Sequence, residues 1–339
     1  MRRAVLLVNL GSPASPSTAD VRRYLDEFLM DPDVLDLPTI ARTVLVRGVI
    51  LNTRPAKSAE AYAKIWTAEG SPLVVISERT RAALEAHMEL PVGLAMRYGE
   101  PSIAHGLEDL LRRVGEVDDL LVVPLYPHYA MASTRTVEVA VEAALRGKNV
   151  PYRFLPPFYE DPGYLDALAG SVRAAMPADT QMLLFSYHGI PQRHVRKMDP
   201  TGNHCLRSAD CCAIPSAAWA TCYRHQVMTT MEGVAQRLEL AEDAYDFAFQ
   251  SRLGGGWLEP FTDKELLALP SRGVKRIGVV CPSFVADCLE TLEEMEMRGR
   301  ETFLGAGGES FTYVPCLNDD PAWIAALATL CRKPAAVPA

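Results

Sequence analysis

The chain of 339 residues has no apolar run long enough to cross a bilayer, which takes ~18 or more consecutive apolar residues. Its opening, MRRAVLLVNLGSP, sets two arginines before an apolar stretch, as a secretory leader does. That stretch breaks at Asn9 and Gly11 and is short for a leader core, so it reads as a buried first strand. Positive charge is scarce: 34 Lys and Arg stand against 42 Asp and Glu, a net charge of −8. An acidic surface repels phosphate backbones, so no nucleic-acid partner is expected. The glycine cluster GGGWLEP at 254–260 has neither G-x-G-x-x-G nor Walker spacing, and no Lys-Ser/Thr follows it. No nucleotide cofactor is therefore expected. Low-complexity linkers and strong repeats are missing too. The compartment reads as cytoplasmic, with contact at the periphery of the inner membrane left open. Disulfides become the weakest use for the eight cysteines, because reducing compartments keep thiols free.

What is present is a globular composition, 49% apolar and 22% charged. The length suggests two domains. Continuous apolar runs stand at 4–10, 92–98, 119–126, 181–187, 245–251 and 276–282. They lack the alternation of one-sided strands, as strands covered on both faces do. Amphipathic segments lie between them. One begins at SPSTADVRRYLDEFLM, with Ser17 as N-cap and Asp20 completing a capping-box pattern. Strands alternating with helices imply βαβ units, and so two similar α/β domains, each a doubly wound parallel sheet of Rossmann-like type. The domains are read as 1–155 plus 305–339, and 156–304. The final strand and a helix near 320–331 pack back on the first domain.

Ligands of open parallel sheets bind beyond the carboxyl ends of the strands. Those ends carry His, Tyr, Trp, Asp and Glu here, and should converge on a cleft between the domains. His188, within FSYHGIP, has the side chain that exchanges protons near neutral pH. Its plain alternative is a strand-ending histidine bonded to backbone. Asp287, Glu290 and Glu294 follow at i, i+3 and i+7 in ADCLETLEEMEM. On one helix face they could steer a divalent cation or relay protons. An acidic first turn complementing the helix dipole is the plain reading. Trp257 would lie over a flat ligand, or simply pack in a loop.

Together LLVNLGSP, FLMDPDVLDLP, YAKIWTAEGSPL, AMRYGEPSI, VVPLYPHYAMAST, LLFSYHGIPQRH, FQSRLGGGWLEPFTD and CPSFVADCLETLEEMEMRGRETFLGAGG closely resemble the ferrochelatases, in order and over nearly the whole chain. The detailed wording is similar to the protoporphyrin-using enzymes of Gram-negative bacteria. The resemblance implies a chelatase-like pair of Rossmann-like domains and insertion of Fe(II) into protoporphyrin IX, the last step of haem formation. The family's essential histidine falls on His188 and its glutamates on Glu290 and Glu294, preceded by Asp287; His188 and Glu290 would also meet the substrate iron. Porphyrin contacts are implied at Leu10, Arg54, Tyr62, Tyr126, Trp257 and Phe284. Homodimers and contacts with other enzymes of haem formation stay open. So do a chelatase for coproporphyrin III or a sirohydrochlorin-type ring, and a carrier that binds haem or porphyrin without metalating it.

The segment HCLRSADCCAIPSAAWATCYRH departs from the commonest family pattern by holding Cys205, Cys211, Cys212 and Cys222 within eighteen residues. It resembles the members that carry a [2Fe–2S] cluster on internal cysteines. The tail has only Cys331, so a tail-borne cluster is not available. Four thiolates are what a [2Fe–2S] unit needs. Zinc, using Cys222 and His225, ranks second, because the spacing lacks the usual C-x₂₋₄-C pairs. Inert thiols rank third. Cys281, Cys288 and Cys316 read as packing residues, with Cys288 near enough to the acidic face to touch it.

Overall fold

Each of the six continuous apolar runs forms a strand, and two shorter strands join them. The structure, a computed structural model, describes residues 2–252 and 254–333. The chain divides into two compact units. Residues 2–125, 131–156 and 319–333 make the first; Tyr126–Ala130 and the described residues of 157–318 make the second. The assignment of 334–339 to the first domain lies outside the described residues.

The first unit is built on β1 (Arg3–Gly11), β2 (Val92–Tyr98), β3 (Asp119–Pro124) and β4 (Tyr152–Phe154). All pair in parallel, in the order β2-β1-β3-β4. Val5, Leu6, Leu7 and Val8 of β1 are buried, which is why that run does not alternate. Gly11 ends β1 at φ 104°, and a Cβ there would lie 1.7 Å from the Tyr98 carbonyl oxygen. Only glycine can make that turn after Leu10. Ser17 caps the helix Thr18–Leu29, its hydroxyl accepting from the Asp20 N–H at 3.2 Å. The reciprocal half of the capping box does not form. Asp20, one methylene shorter than the glutamate that closes such a box, instead accepts from Ser15 Oγ at 2.5 Å and pairs with Arg23. The helix Pro321–Arg332 packs against Pro72–Met88 in this unit.

The second unit repeats the topology with β5 (Met182–His188), β6 (Tyr245–Gln250), β7 (Arg276–Val280) and β8 (Ser310–Tyr313), ordered β6-β5-β7-β8. This corrects the domain boundary. Residues 305–318 do not join the first domain, because β8 pairs in parallel with β7, Ile277 opposite Phe311. Its small core packs Leu184, Ala248, Val279, Phe303 and Phe311 against Leu266 and Met295. In both sheets the chain steps from its first strand to one side and then returns to the other. That reversal makes a crevice at the carboxyl ends of the first and third strands. In the second unit it lies between His188, at the end of β5, and the residues after Val280.

Candidate active site

His188 is the last residue of β5 and half-buried. Its Nδ1 lies 2.7 Å from the Gly189 carbonyl oxygen. A carbonyl only accepts, so Nδ1 carries a hydrogen, and in the neutral ring that leaves the lone pair on Nε2. The backbone contact foreseen as the plain alternative is therefore made, and it selects the tautomer that can take a proton. Gly189 permits a close approach: a Cβ there would meet the Gln250 carbonyl oxygen at 2.8 Å and the Trp257 ring at 3.3 Å. The Leu258 N–H donates to the Ile190 carbonyl, and Gln192 Nε2 donates to the Trp257 carbonyl. These bonds bring Trp257 to the same strand end, half-buried. Phe284, in the loop after β7, faces His188 edge-on at 6.1 Å.

The acidic segment is not the α-helix that its spacing suggested. Glu290–Gly299 is a π-helix, followed by α-helix over Arg300–Gly305. Wider turns of this kind recur at functional sites. Glu290 and Glu294 lie about one turn apart in it, close enough that Glu290 raises the Glu294 pKa. Burial is the larger cause of that rise, while the Ser251 bonds and the charges of His188 and Arg298 pull the other way. Ser251, held at φ 63°, gives Glu294 both its N–H at 2.8 Å and its hydroxyl at 2.5 Å. Gln250 Nε2 donates to the Glu290 carbonyl at 2.8 Å, and Ser186 Oγ donates to Gln250 Oε1 at 2.7 Å. Cys288, as anticipated, touches this face. Burial pushes its thiol pKa well up, and a hydrogen bond to Glu290 adds to the rise.

Asp287 departs from the expected shared face. It precedes the helix, is 5% exposed and turns the other way. Its carboxylate accepts from Tyr313 OH at 2.5 Å, Asn318 Nδ2 at 2.8 Å, Thr291 Oγ1 at 3.0 Å and the Cys316 N–H at 3.4 Å. A carboxylate with four donors has little free capacity for relaying protons and is suited to pinning the loop 314–318 to the start of the helix. Asp287→Ala, which leaves those buried donors without an acceptor, is expected to destabilise the protein by about 2–4 kcal/mol. Denaturant unfolding checks this, and an unchanged midpoint would contradict it.

The remaining predicted contacts are placed as follows. Leu10 is half-buried near the end of β1, Arg54 is exposed between the helices Leu51–Thr53 and Pro55–Ile65, and Tyr62 is buried edge-on against Tyr24 and Trp66. Tyr126 follows β3, half-buried, and groups with the second unit.

The four cysteines of 204–225 are all buried. Burial works against the charge of Asp199, yet the N–H groups of Cys205, Thr201 and His204 hold its carboxyl well below its ordinary range, and so fix the start of the segment. His204 Nε2 reaches the Cys211 carbonyl at 2.8 Å and His225 Nδ1 the Cys212 carbonyl at 2.9 Å. Both histidines therefore pin the Cys-Cys step rather than face the thiols. The Cys222 thiol is near enough to those of Cys205 and Cys212 to act on both. Burial pushes Cys205 up to about 11, and the Cys222 contact, then burial, raise Cys212 further. Among the described residues no three His, Cys, Asp or Glu side chains close round one point as a metal site.

A sequence model of the ferrochelatases matches residues 2–335. The chain belongs to the ferrochelatase family. It is 52% identical over 338 residues to a ferrochelatase of Azotobacter vinelandii, covering 98% of each chain. It is also 52% identical over 335 residues to one of Pseudomonas fluorescens, covering 97% of each. Among solved structures it is similar in fold to SirB from Bacillus subtilis with Fe3+, at TM-score 0.54, 14% identity and coverage of 98% and 95%. The sirohydrochlorin chelatase SirB from Bacillus subtilis subspecies spizizenii, in complex with cobalt, matches at TM-score 0.53 and 13% identity, covering 98% and 94%. Family membership makes this an enzyme that inserts ferrous iron into protoporphyrin for haem synthesis.

Residue patterns gave no notice of Ser251, Ser283 or Tyr223. The signal for the first was there: Gln250 and Ser251 are polar residues closing an apolar run at a strand end.

Proposed function

We propose that metalation of protoporphyrin IX takes place at the crevice of the second unit, with His188 receiving the pyrrole protons. The observation that carries this is the tautomer: a Nδ1–H held by the Gly189 carbonyl leaves Nε2 as acceptor. Iron entering the ring displaces two pyrrole protons, so a base beside the macrocycle is required. Planar porphyrin hides its nitrogens, and a site that bends it works toward the transition state. Trp257 and Phe284 are the flat partners here, while Leu10, Arg54, Tyr62 and Tyr126 are proposed as further contacts. Glu290 and Glu294 carry protons away or meet the incoming iron, and the raised pKa of Glu294 suits it to exchange nearer neutral pH. Asp287 is proposed as support for these two. The test of substrate is turnover of the purified enzyme with ferrous iron on protoporphyrin IX, coproporphyrin III and a sirohydrochlorin-type ring. Preference for either of the others would overturn the protoporphyrin reading, and tight binding without turnover would indicate a carrier.

The buried thiols fit a [2Fe–2S] cluster by their chemistry. Cys205, Cys211, Cys212 and Cys222 would hold it, and it would supply a one-electron centre. All four sulfurs are buried, and the Arg224 guanidinium lies 3.2 Å from Cys212 Sγ, where it offsets part of the burial that holds that thiol protonated. Zinc through His225 fits less well, since that ring is bonded to a carbonyl and stacked on Trp219 at 4.2 Å. Protein isolated under argon is expected to be red-brown, with iron and acid-labile sulfide in equal amounts and colour bleached by dithionite. Zinc, or no metal, would sink the cluster.

All eight cysteines are free, which supports a reducing cytoplasmic location. Among the described residues no helix is long and apolar enough to cross a membrane. Ile40, Val44 and Val49 are 81%, 63% and 53% exposed along the helical stretch 39–53, which supports peripheral contact with a membrane. Val44→Asp is expected to reduce co-sedimentation with anionic vesicles; equal sedimentation would remove that contact.

A further inference from the structure

We infer that Tyr223 is a positioning residue that ties the four-cysteine segment to the main chain of His188. On one side β5 pairs with β6 through to His188, opposite Gln250, and the Gly189 N–H continues to the Gln250 carbonyl. On the other side its ladder with β7 ends earlier, at Phe185 opposite Val280. The N–H and C=O of a strand residue point the same way, alternating along the strand, so those of His188 face the side where β7 has already turned away. Side chains replace the missing strand. The His188 N–H approaches Ser283 Oγ at 3.4 Å, Ser283 Oγ lies 2.7 Å from Tyr223 OH, and Tyr223 OH donates to the His188 carbonyl at 2.8 Å. With the Ser283 hydroxyl donating to the phenol oxygen, each hydroxyl accepts one bond and donates one, and the ring of bonds closes. Both ends of the His188 residue are then held from one point.

That point is the first residue of the helix Tyr223–Arg237, whose N-cap is Cys222. Tyr223 is 5% exposed, so its ring cannot swing away freely. Cys222 is buried with the other three thiols of the segment, and Thr221 Oγ1 anchors the preceding residue to the Met198 carbonyl at 2.6 Å. A change at the thiols displaces Cys222, and one peptide bond carries the displacement to the phenol that holds His188. Small misplacements of a reacting group are costly in rate. The cysteine segment thus acts on the imidazole through main-chain position. This coupling rests on the reading of His188 as the base.

The test uses the full-length protein with ¹⁵N-labelled histidine and no added metal or porphyrin, alongside steady-state metalation. Tyr223→Phe keeps the packed ring and opens the loop of bonds. It is expected to lower kcat about tenfold while porphyrin KM moves less than about twofold. It should also shift the His188 Nδ1–H resonance. Cys205→Ser should shift the same resonance in the wild-type background and leave it unmoved in Tyr223→Phe. Ser283→Ala opens the same loop at its other bond and should reproduce both results if the phenylalanine variant folds poorly. Wild-type kcat and an unmoved resonance in both Tyr223→Phe and Ser283→Ala would overturn the positioning role. An equal Cys205→Ser shift in both backgrounds would overturn the coupling. His188→Ala with full activity would instead overturn the base assignment, which is a separate reading.

Discussion

His188→Ala is expected to lower turnover by about 10²–10⁴-fold, the usual contribution of a positioned acid or base, while porphyrin still binds. The flat contacts proposed at Trp257 and Phe284 do not depend on the imidazole, so fluorescence titration with protoporphyrin should give a dissociation constant close to that of the wild type. The split matters because the same residue could act by packing. His188 is half-buried, and its ring lies 6.1 Å from Phe284. A packing role would weaken binding and turnover together. Loss of turnover alone identifies an interaction made during proton transfer. Near-normal turnover in His188→Ala would remove it from the chemistry.

The second large effect is on the acidic pair. If Glu290 is the proton acceptor or iron contact proposed for it, Glu290→Gln is expected to cost about 10²-fold in kcat. An unaffected rate would leave Glu290 as a helix-end charge. Glu294→Gln should separate activity from stability. Burial raises the Glu294 pKa above its unfolded value. A group shifted in that direction contributes its stability below the unfolded pKa and loses it as pH rises through the folded one. Once ionised, the carboxylate is therefore a cost, although the two Ser251 bonds offset part of it. Glu294→Gln should lose activity while unfolding at the same or a higher denaturant midpoint above pH 7. Lower stability there would mean that the Ser251 bonds outweigh burial.

Much of this was legible from the residues. The continuous apolar runs mark buried parallel strands because both faces are covered, and His188 and the acidic segment could be placed at strand ends because strand direction fixes where a crevice opens. Ser17 announced its helix by a bond to a residue three positions away. What could not be read depends on residues distant in sequence. Asp287 looked like a member of the acidic row, yet its partners Tyr313 and Asn318 lie 26 and 31 residues on. The π-helical winding of Glu290–Gly299 leaves the i, i+3, i+7 spacing unchanged as text while altering which side chains share a face. β4 spans only three residues, too short for a distinct pattern, whereas β8 was anticipated as a final strand but assigned to the wrong domain. β8 also joins its sheet by pairing with β7, which no local signal reports. Tyr223 meets His188 across 35 residues, with an intervening cysteine segment that draws attention to its thiols instead.

The most direct measurement is chemical rescue of His188→Gly. The variant, ferrous iron and protoporphyrin IX are mixed anaerobically, and haem formation is followed by absorbance with increasing imidazole. If the ring at this strand end accepts the pyrrole protons, imidazole should restore turnover in a saturable way, with a pH dependence that follows the neutral form of the added base. A variant as active as the wild type without imidazole, or one that stays inactive at saturating imidazole while binding porphyrin normally, would contradict that role for His188.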